Sequence, residues 1–255
     1  IVGGGYIGLE AAATARKFGV DVTLVEIEER ILKRVAAKET SDYIRSLHIS
    51  NGVNIKEAVG LGKLKIANDK VLNASLTDGS DINVDFVIVG IGITPNTELA
   101  EGANLKINNG IFINDKCQTS VSNIYAAGDC TSFEYKDTLV RLESVGNAID
   151  QATIVAQNIM KQNTNYIPKP WFWSDQYDLK LQIAGLNTGY DDVVVRKGEN
   201  KQISHWYFKD QSLLAVDALN DPRCYMIGKR LIEENKSPPK NQLRDENFNL
   251  KVLLK

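Results

Sequence analysis

Ile1-Val2-Gly3-Gly4-Gly5-Tyr6-Ile7-Gly8 runs into Leu9-Glu10-Ala11-Ala12-Ala13-Thr14-Ala15-Arg16-Lys17-Phe18-Gly19, and then into Val20-Asp21-Val22-Thr23-Leu24-Val25-Glu26. Two apolar residues lead into a glycine cluster. A run of strong helix formers then closes on Gly19, a suitable C-terminal cap, and β-branched residues end on a single acid. The order predicts strand, tight turn, helix and strand, the opening βαβ unit of a parallel sheet. Gly3-x-Gly5-x-x-Gly8 stands between strand and helix, with Glu26 eighteen residues after the last glycine. This context fits dinucleotide binding. Glycines let the backbone turn tightly and approach a pyrophosphate, which a helix N-terminus binds through its N–H groups and dipole. Glu26 would accept from a ribose 2′-hydroxyl and repel a 2′-phosphate, so NADH is expected over NADPH, with Arg30 and Arg34 near enough to oppose that preference. The plainer alternative is a glycine turn that only packs helix on sheet.

Outward from this unit, residues 36–50 read as a helix with Ile44 and Leu47 inward, and 52–55 as a strand. Short alternating runs over 57–84, broken at Asn68-Asp69 and Asp78-Gly79, predict an antiparallel meander. Residues 85–90 return as a strand of the central sheet. A strand is expected near 110–113, then the apolar strand 124–127 ending in Gly128-Asp129-Cys130, then a polar loop through Asp137. Asp129 could accept from polyol hydroxyls there or merely cap a turn. Residues 143–161 carry Val145, Ala148, Ile149, Ala152, Val155, Ala156, Ile159 and Met160 at helical spacing, a helix expected to lie on a sheet. After a boundary at 163–170 come strands at 192–197 and 203–208, a helix near 222–235, and a polar tail beyond Pro238-Pro239.

The 255 residues are 43% apolar and 24% charged, with 30 Lys+Arg against 32 Asp+Glu. Such a mixture excludes global disorder, and the longest apolar run, 86–93, is far short of the roughly 18 residues a membrane span needs. Cys117, Cys130 and Cys224 form no close pair, which points to a reducing, cytoplasmic location. Residues 161–255 carry 15 basic and 12 acidic side chains, too modest an excess for nucleic acid. His48 and His205 have no ligand spacing, so no metal site is expected. Ile1 falls inside a strand, so a longer protein with an upstream segment is expected.

Five ordered stretches carry a family resemblance: residues 3–10; Gly90-Ile91-Gly92-Ile93-Thr94-Pro95-Asn96; 119–130; Arg141-Leu142-Glu143-Ser144-Val145-Gly146-Asn147-Ala148; and Phe172-Trp173-Ser174-Asp175-Gln176-Tyr177. Together they resemble the FAD-dependent ferredoxin reductases of the rubredoxin, putidaredoxin and biphenyl-dioxygenase type, in the pyridine nucleotide-disulfide oxidoreductase superfamily. The resemblance implies an α/β architecture: a Rossmann-like NAD-binding domain with an antiparallel meander at 1–111, the returning half of a FAD domain at 112–165, and a C-terminal α+β domain at the acceptor face over 166–255. It implies FAD and NAD as cofactors. Gly3, Gly5, Tyr6, Ile7 and Gly8 would line the NADH pyrophosphate, and Glu26 and Arg34 its adenosine ribose. Glu10 would approach the nicotinamide carboxamide as a catalytic residue, with Ile91 and Gly92 beside the ring. Asp129, Glu143 and Val145 would hold FAD, and the helix start at Val145 would favour charge at the reduced flavin. Trp173 would lie near the flavin at the acceptor face, as both a binding and a catalytic residue. Gly146 departs from the family pattern, which has a longer polar residue there.

The activity implied is hydride transfer from NADH to FAD, then single electrons to a [2Fe–2S] ferredoxin or a rubredoxin. Alternatives are an NADH oxidase, a monodehydroascorbate or disulfide reductase of the same superfamily, or a nucleotide-sensing module resembling the apoptosis-inducing flavoproteins. Neither a membrane nor a nucleic acid is an expected partner.

Overall fold

The computed structural model describes residues 1–254. The chain divides into two compact units, one comprising residues 1–92, 173–182 and 187 onward, the other 93–172 and 183–186. Among the described residues no helix is long and apolar enough to cross a membrane.

The first unit opens as the glycine and helix-former pattern dictates, with α1 (Tyr6–Lys17), β1 (Thr23–Glu26), α2 (Lys38–Ser50) and β2 (Asn54–Glu57). β1 and β2 pair in parallel from Thr23 opposite Asn54 to Glu26 opposite Glu57. Val2 lies between β1 and residues 88–90, bridging Val25 on one side and Val89 on the other, both in parallel. α1 buries Leu9, Ala12 and Ala13, and α2 buries Ile44, its Leu47 being only half-buried. Each fully buried leucine or isoleucine here removes about 2 kcal/mol worth of apolar surface from water. The expected strand at 85–90 is extended chain without a ladder. Its pairing with Val2 consists of Val2 N–H to the Ile88 carbonyl (2.8 Å) and Gly90 N–H to the Val2 carbonyl (2.8 Å). The meander forms as read, an antiparallel sheet of β3 (Leu61–Ala67), β4 (Lys70–Leu76) and β5 (Asp81–Asn83). Asn68 and Asp69 both take positive φ, 52° and 58°, the turn that suits the strand twist.

In the second unit α3 (Glu98–Gly102) precedes β6 (Ile111–Phe112), β7 (Thr131–Tyr135), β8 (Thr138–Val140) and α4 (Val145–Ile159). β6 runs parallel to β7, and β7 antiparallel to β8. The expected polar loop up to Asp137 is therefore a hairpin: Lys136 and Asp137 take φ of 49° and 59°, and Phe133 between polar neighbours enters a core with Ile113, Cys117 and Tyr166. Conversely, the expected strand 124–127 joins no sheet. It folds back on 117–119 through Ala126 N–H to the Cys117 carbonyl (3.2 Å) and Thr119 N–H to the Ile124 carbonyl (3.0 Å).

α4 forms where expected, with the Ser144 hydroxyl accepting from Asn147 N–H as its cap. Its faces depart from the apolar pattern. The buried residues are Asn147, Gln151 and Asn158, while Val145 and Ile149 are 59% and 60% exposed and Ile159 and Met160 are 63% and 70% exposed. The amides are buried because irregular backbone beside the helix needs partners. Gln151 Oε1 accepts from Gly128 N–H (2.7 Å) and the Thr131 hydroxyl (3.0 Å), and Asn158 bonds the Lys116 and Thr164 carbonyls and Thr164 N–H. Gly146 has a local reason: a Cβ there would stand 2.6 Å from the Trp171 indole nitrogen.

The last segment supplies β9 (Trp171–Gln176), β10 (Leu179–Gly185), β11 (Asp192–Lys197), β12 (Ile203–Lys209) and β13 (Ser212–Leu219), a five-stranded sheet in the order β11-β12-β13-β10-β9. α5 (Pro222–Glu233) starts at Asp221, whose carboxylate accepts from Cys224 N–H (2.9 Å), with proline in the first turn. The expected polar tail folds as α6 (Lys240–Arg244) and a 3₁₀ turn (Leu250–Leu254), and buries two apolar residues, Leu243 and Leu250. Its anchor is buried Arg196, whose guanidinium donates to the carbonyls of Leu243, Asp245, Glu246 and Phe248.

Candidate functional site

The three motif glycines meet three different demands. Gly3 has φ +104°, and a Cβ on it would stand 2.3 Å from the Gly90 carbonyl oxygen; on Gly8 a Cβ would stand 2.0 Å from the Gly3 carbonyl oxygen. Those two positions hold strand, turn and helix in contact and admit no side chain. Gly5 differs, because a Cβ there would meet nothing within 4 Å. Gly5 also starts α1, and no side chain caps that end. The first-turn N–H groups of an α-helix have no partner within the helix, so the open space at Gly5 faces an anion site made of backbone donors. Ile7 is exposed, whereas Tyr6 turns its phenol inward, where burial and then the Asp217 charge push its pKa well up.

Glu26 ends β1 and is fixed by the loop itself. Gly4 N–H donates to Oε2 (2.6 Å) and Glu28 N–H to Oε1 (2.8 Å), which leaves further lone pairs on both oxygens for sugar hydroxyls. Glu26, Gly3, Gly5, Arg34 and Ile91 line one cavity of about 410 Å³. It lies at the carboxyl ends of the parallel strands, where open α/β sheets bind ligands. A larger cavity of about 520 Å³, lined by residues 20–23 and 82–88, lies at the opposite ends of these strands, away from the helix N-terminus. Of the two arginines, Arg30 is engaged with the Ser41 hydroxyl and the Ala36 carbonyl, and exposed Arg34 alone lines the 410 Å³ cavity. Gly92, with φ +119°, ends the segment beside Ile91. A dinucleotide fits these residues: an open glycine at an uncapped helix start, and an acid fixed at the next strand end.

Glu10, on the second turn of α1, is half-buried and its Oε1 accepts from the Ser174 hydroxyl (2.5 Å). Ser174 in turn accepts from Gln176 Nε2 (2.9 Å), and Gln176 Oε1 meets His48 Nε2 (2.8 Å). Ser174 and Gln176 stand in one of the five family stretches and His48 reads only as a non-ligand, so none of the three has a role in the site from sequence alone. The available signal is alternation: Ser174 and Gln176 share one face of β9, both fully buried, beside the 43%-exposed Trp173.

In the second unit Asp129 is exposed and follows Gly128, whose φ is +87°. Gly128 lies against the first turns of α4, its N–H bonded to Gln151, and a Cβ on it would stand 3.6 Å from the Ala148 methyl group. Asp129 thus stands beside the positive end of α4, where Val145 is exposed and Glu143 pairs with Arg141 (2.6 Å). A helix start, an exposed acid and an uncovered apolar face suit one end of a flavin nucleotide and the sheet that would carry the rest of it. Cys117 and Cys224 are buried, with thiols pushed up to about 11 and about 12 by burial, so neither is a thiolate nucleophile near neutral pH.

The pyridine nucleotide-disulphide oxidoreductase family matches residues 1–152, more than half of the chain, and the reductase C-terminal family matches 171–254. The chain belongs to the pyridine nucleotide-disulphide oxidoreductase family. Within it, rhodocoxin reductase of Rhodococcus erythropolis is 38% identical over 257 residues, covering 100% of this chain and 60% of that protein. A ferredoxin reductase of the CYP199A2 system from Rhodopseudomonas palustris has a TM-score of 0.95 at 37% identity, covering 99% of this chain and 63% of that one. The covalent putidaredoxin reductase–putidaredoxin complex gives 0.94 at 40% identity, covering 99% and 62%. The chain therefore spans about three-fifths of the length of these relatives. The α/β fold with its parallel opening unit and meander is that of the family.

Proposed function

We propose that this chain is the NAD-binding and C-terminal part of an NADH-dependent flavoprotein reductase that delivers single electrons to a [2Fe–2S] ferredoxin or a rubredoxin in the cytoplasm. The observation that carries the proposal is the open space at Gly5, at an uncapped helix start beside a fixed Glu26. Residues 1–111 form the NAD domain, 112–165 the returning half of a flavin domain, and 166–255 the acceptor-side domain. The similarity to rhodocoxin reductase and to the covalent complex with putidaredoxin supports an iron–sulfur protein as acceptor.

The residues have distinct tasks. Gly3, Gly5, Tyr6, Ile7 and Gly8 present backbone to the pyrophosphate. Glu26 and Arg34 take the adenosine ribose, the carboxylate disfavouring a 2′-phosphate. Glu10, Ile91 and Gly92 place the nicotinamide, and Asp129, Glu143, Val145 and Trp173 hold the flavin end. When bound, FAD supplies the conversion of a two-electron hydride into single electrons. The buried thiols of Cys117 and Cys224 favour this reading over a disulfide reductase built on these cysteines. Steady-state turnover of the full-length flavin-loaded protein with NADH and a [2Fe–2S] ferredoxin tests it. Turnover that falls at least tenfold in Glu26→Ala through KM for NADH, with flavin content unchanged, is the expected result; acceptor binding without turnover would favour the sensing module.

A further inference from the structure

The hydrogen bonds that end on Glu10 have one direction. Gln176 Nε2 donates to Ser174, so Gln176 Oε1 is the acceptor toward His48, and His48 Nε2 carries the hydrogen. Burial lowers the His48 pKa, so the ring is neutral near pH 7, and its Nδ1 accepts from the Tyr177 hydroxyl (3.3 Å). Ser174 accepts from Gln176 and gives its single hydroxyl hydrogen to Glu10 Oε1. Every hydrogen from Tyr177 onward points toward the Glu10 carboxylate. Ser174, Gln176 and His48 are each buried to within 1% of completely. The chain reaches only Oε1 and leaves Oε2 for a donor from a ligand.

We infer that Ser174, backed by Gln176 and His48, is a positioning residue that fixes the Glu10 carboxylate so that Oε2 accepts an N–H from the nicotinamide carboxamide and sets the ring's angle for hydride transfer. The inference rests on the proposed binding of NADH at this site. It assigns a role to three buried polar residues drawn from α2 and β9, and it explains why the serine hydroxyl faces an acid rather than water. Loss of the hydroxyl frees Glu10 to take other rotamers, so transfer slows without the coenzyme leaving its pyrophosphate and ribose contacts.

Anaerobic stopped-flow reduction of the full-length flavin-loaded protein tests this with two coenzymes: NADH, and reduced 3-acetylpyridine adenine dinucleotide, in which a methyl ketone replaces the carboxamide and no N–H is offered. Ser174→Ala should lower the limiting flavin-reduction rate with NADH at least tenfold and the rate with the analogue less than threefold. On a Glu10→Ala background the serine substitution should add less than twofold. Gln176→Met, which leaves the serine in place, should show the same coenzyme dependence if Ser174→Ala loses flavin. Equal losses with both coenzymes, an unchanged NADH rate, or additive effects on the Glu10→Ala background would overturn the inference. Absence of flavin reduction by NADH in the unsubstituted protein would instead overturn the proposed function.

Discussion

Gly5 and Gly8 are three residues apart and respond to a methyl group in opposite ways. At Gly8 the added Cβ collides with the Gly3 carbonyl oxygen at 2.0 Å, so Gly8→Ala forces helix and strand apart and is expected to cost about 3 kcal/mol in chemical denaturation. At Gly5 the methyl group enters empty space, so Gly5→Ala should leave stability within about 1 kcal/mol of the parent. NADH affinity, measured by fluorescence titration, should nonetheless fall at least tenfold, because the methyl group would occupy the place proposed for the pyrophosphate. Equal stability losses in the two variants would mean that the space at Gly5 has no ligand role. The glycine spacing and the acid at 26 were legible because each answers a local backbone requirement. Ser174 was not, since its meaning depends on Glu10, 164 residues away in sequence.

At the scale of elements, polar side chains that look solvated hold the backbone in place. Gln151 sits on α4 among residues whose spacing suggests that the apolar side faces inward, yet it is the amide that is buried, against Gly128 and Thr131. Gln151→Leu should therefore destabilise the chain by about 1–3 kcal/mol in urea, although it adds apolar surface at a buried position, because the buried Gly128 N–H loses its acceptor, while the Thr131 hydroxyl keeps the Gly128 carbonyl (2.8 Å). A neutral or stabilising result would contradict that account. Arg196 acts similarly on 243–248. Its partners are carbonyl oxygens, which carry no sequence signal, so the segment read only as a polar tail. Arg196→Met should raise amide hydrogen exchange across 240–254 and cost about 3 kcal/mol, while exchange in β1 and β2 stays as it was. The four long helices α1, α2, α4 and α5, the meander and the paired β1–β2 were readable from periodicity and turn residues, whereas the short α3 and α6 were not. The 131–140 hairpin and the faces of α4 were not, because their pattern answers tertiary partners.

Within the first unit, long-range order depends on a buried polar cluster. Thr40 of α2 donates to Asp217 (2.7 Å) and bonds His205 Nδ1 (2.7 Å), while the Tyr207 hydroxyl donates to Asp217 and accepts from Ala37 N–H (3.0 Å). Burial raises the Asp217 carboxyl to about 6 and lowers His205 to about 4. Between about pH 4 and 6 the folded chain keeps a proton on Asp217 that the unfolded chain releases, so this residue's contribution to stability falls as pH rises, by about 3 kcal/mol in all. His205 acts oppositely: below about pH 6.5 the unfolded chain takes up a proton that the folded one refuses. Its contribution therefore rises by a similar amount from pH 4 to 6.5. The two nearly cancel. Relative to the parent, His205→Gln should lose stability as pH rises from 4 to 6 and Asp217→Asn should gain it, and parallel curves for all three proteins would sink the assignment.

The proposed function has hydride from NADH reaching a flavin, and an anaerobic titration of the full-length flavin-loaded protein with NADH and with NADPH, followed by the visible flavin spectrum, measures that transfer. Bleaching by stoichiometric NADH, with NADPH at least tenfold less effective, is the predicted result. A protein that binds NADH while its flavin stays oxidised, or that purifies without flavin, would contradict the account.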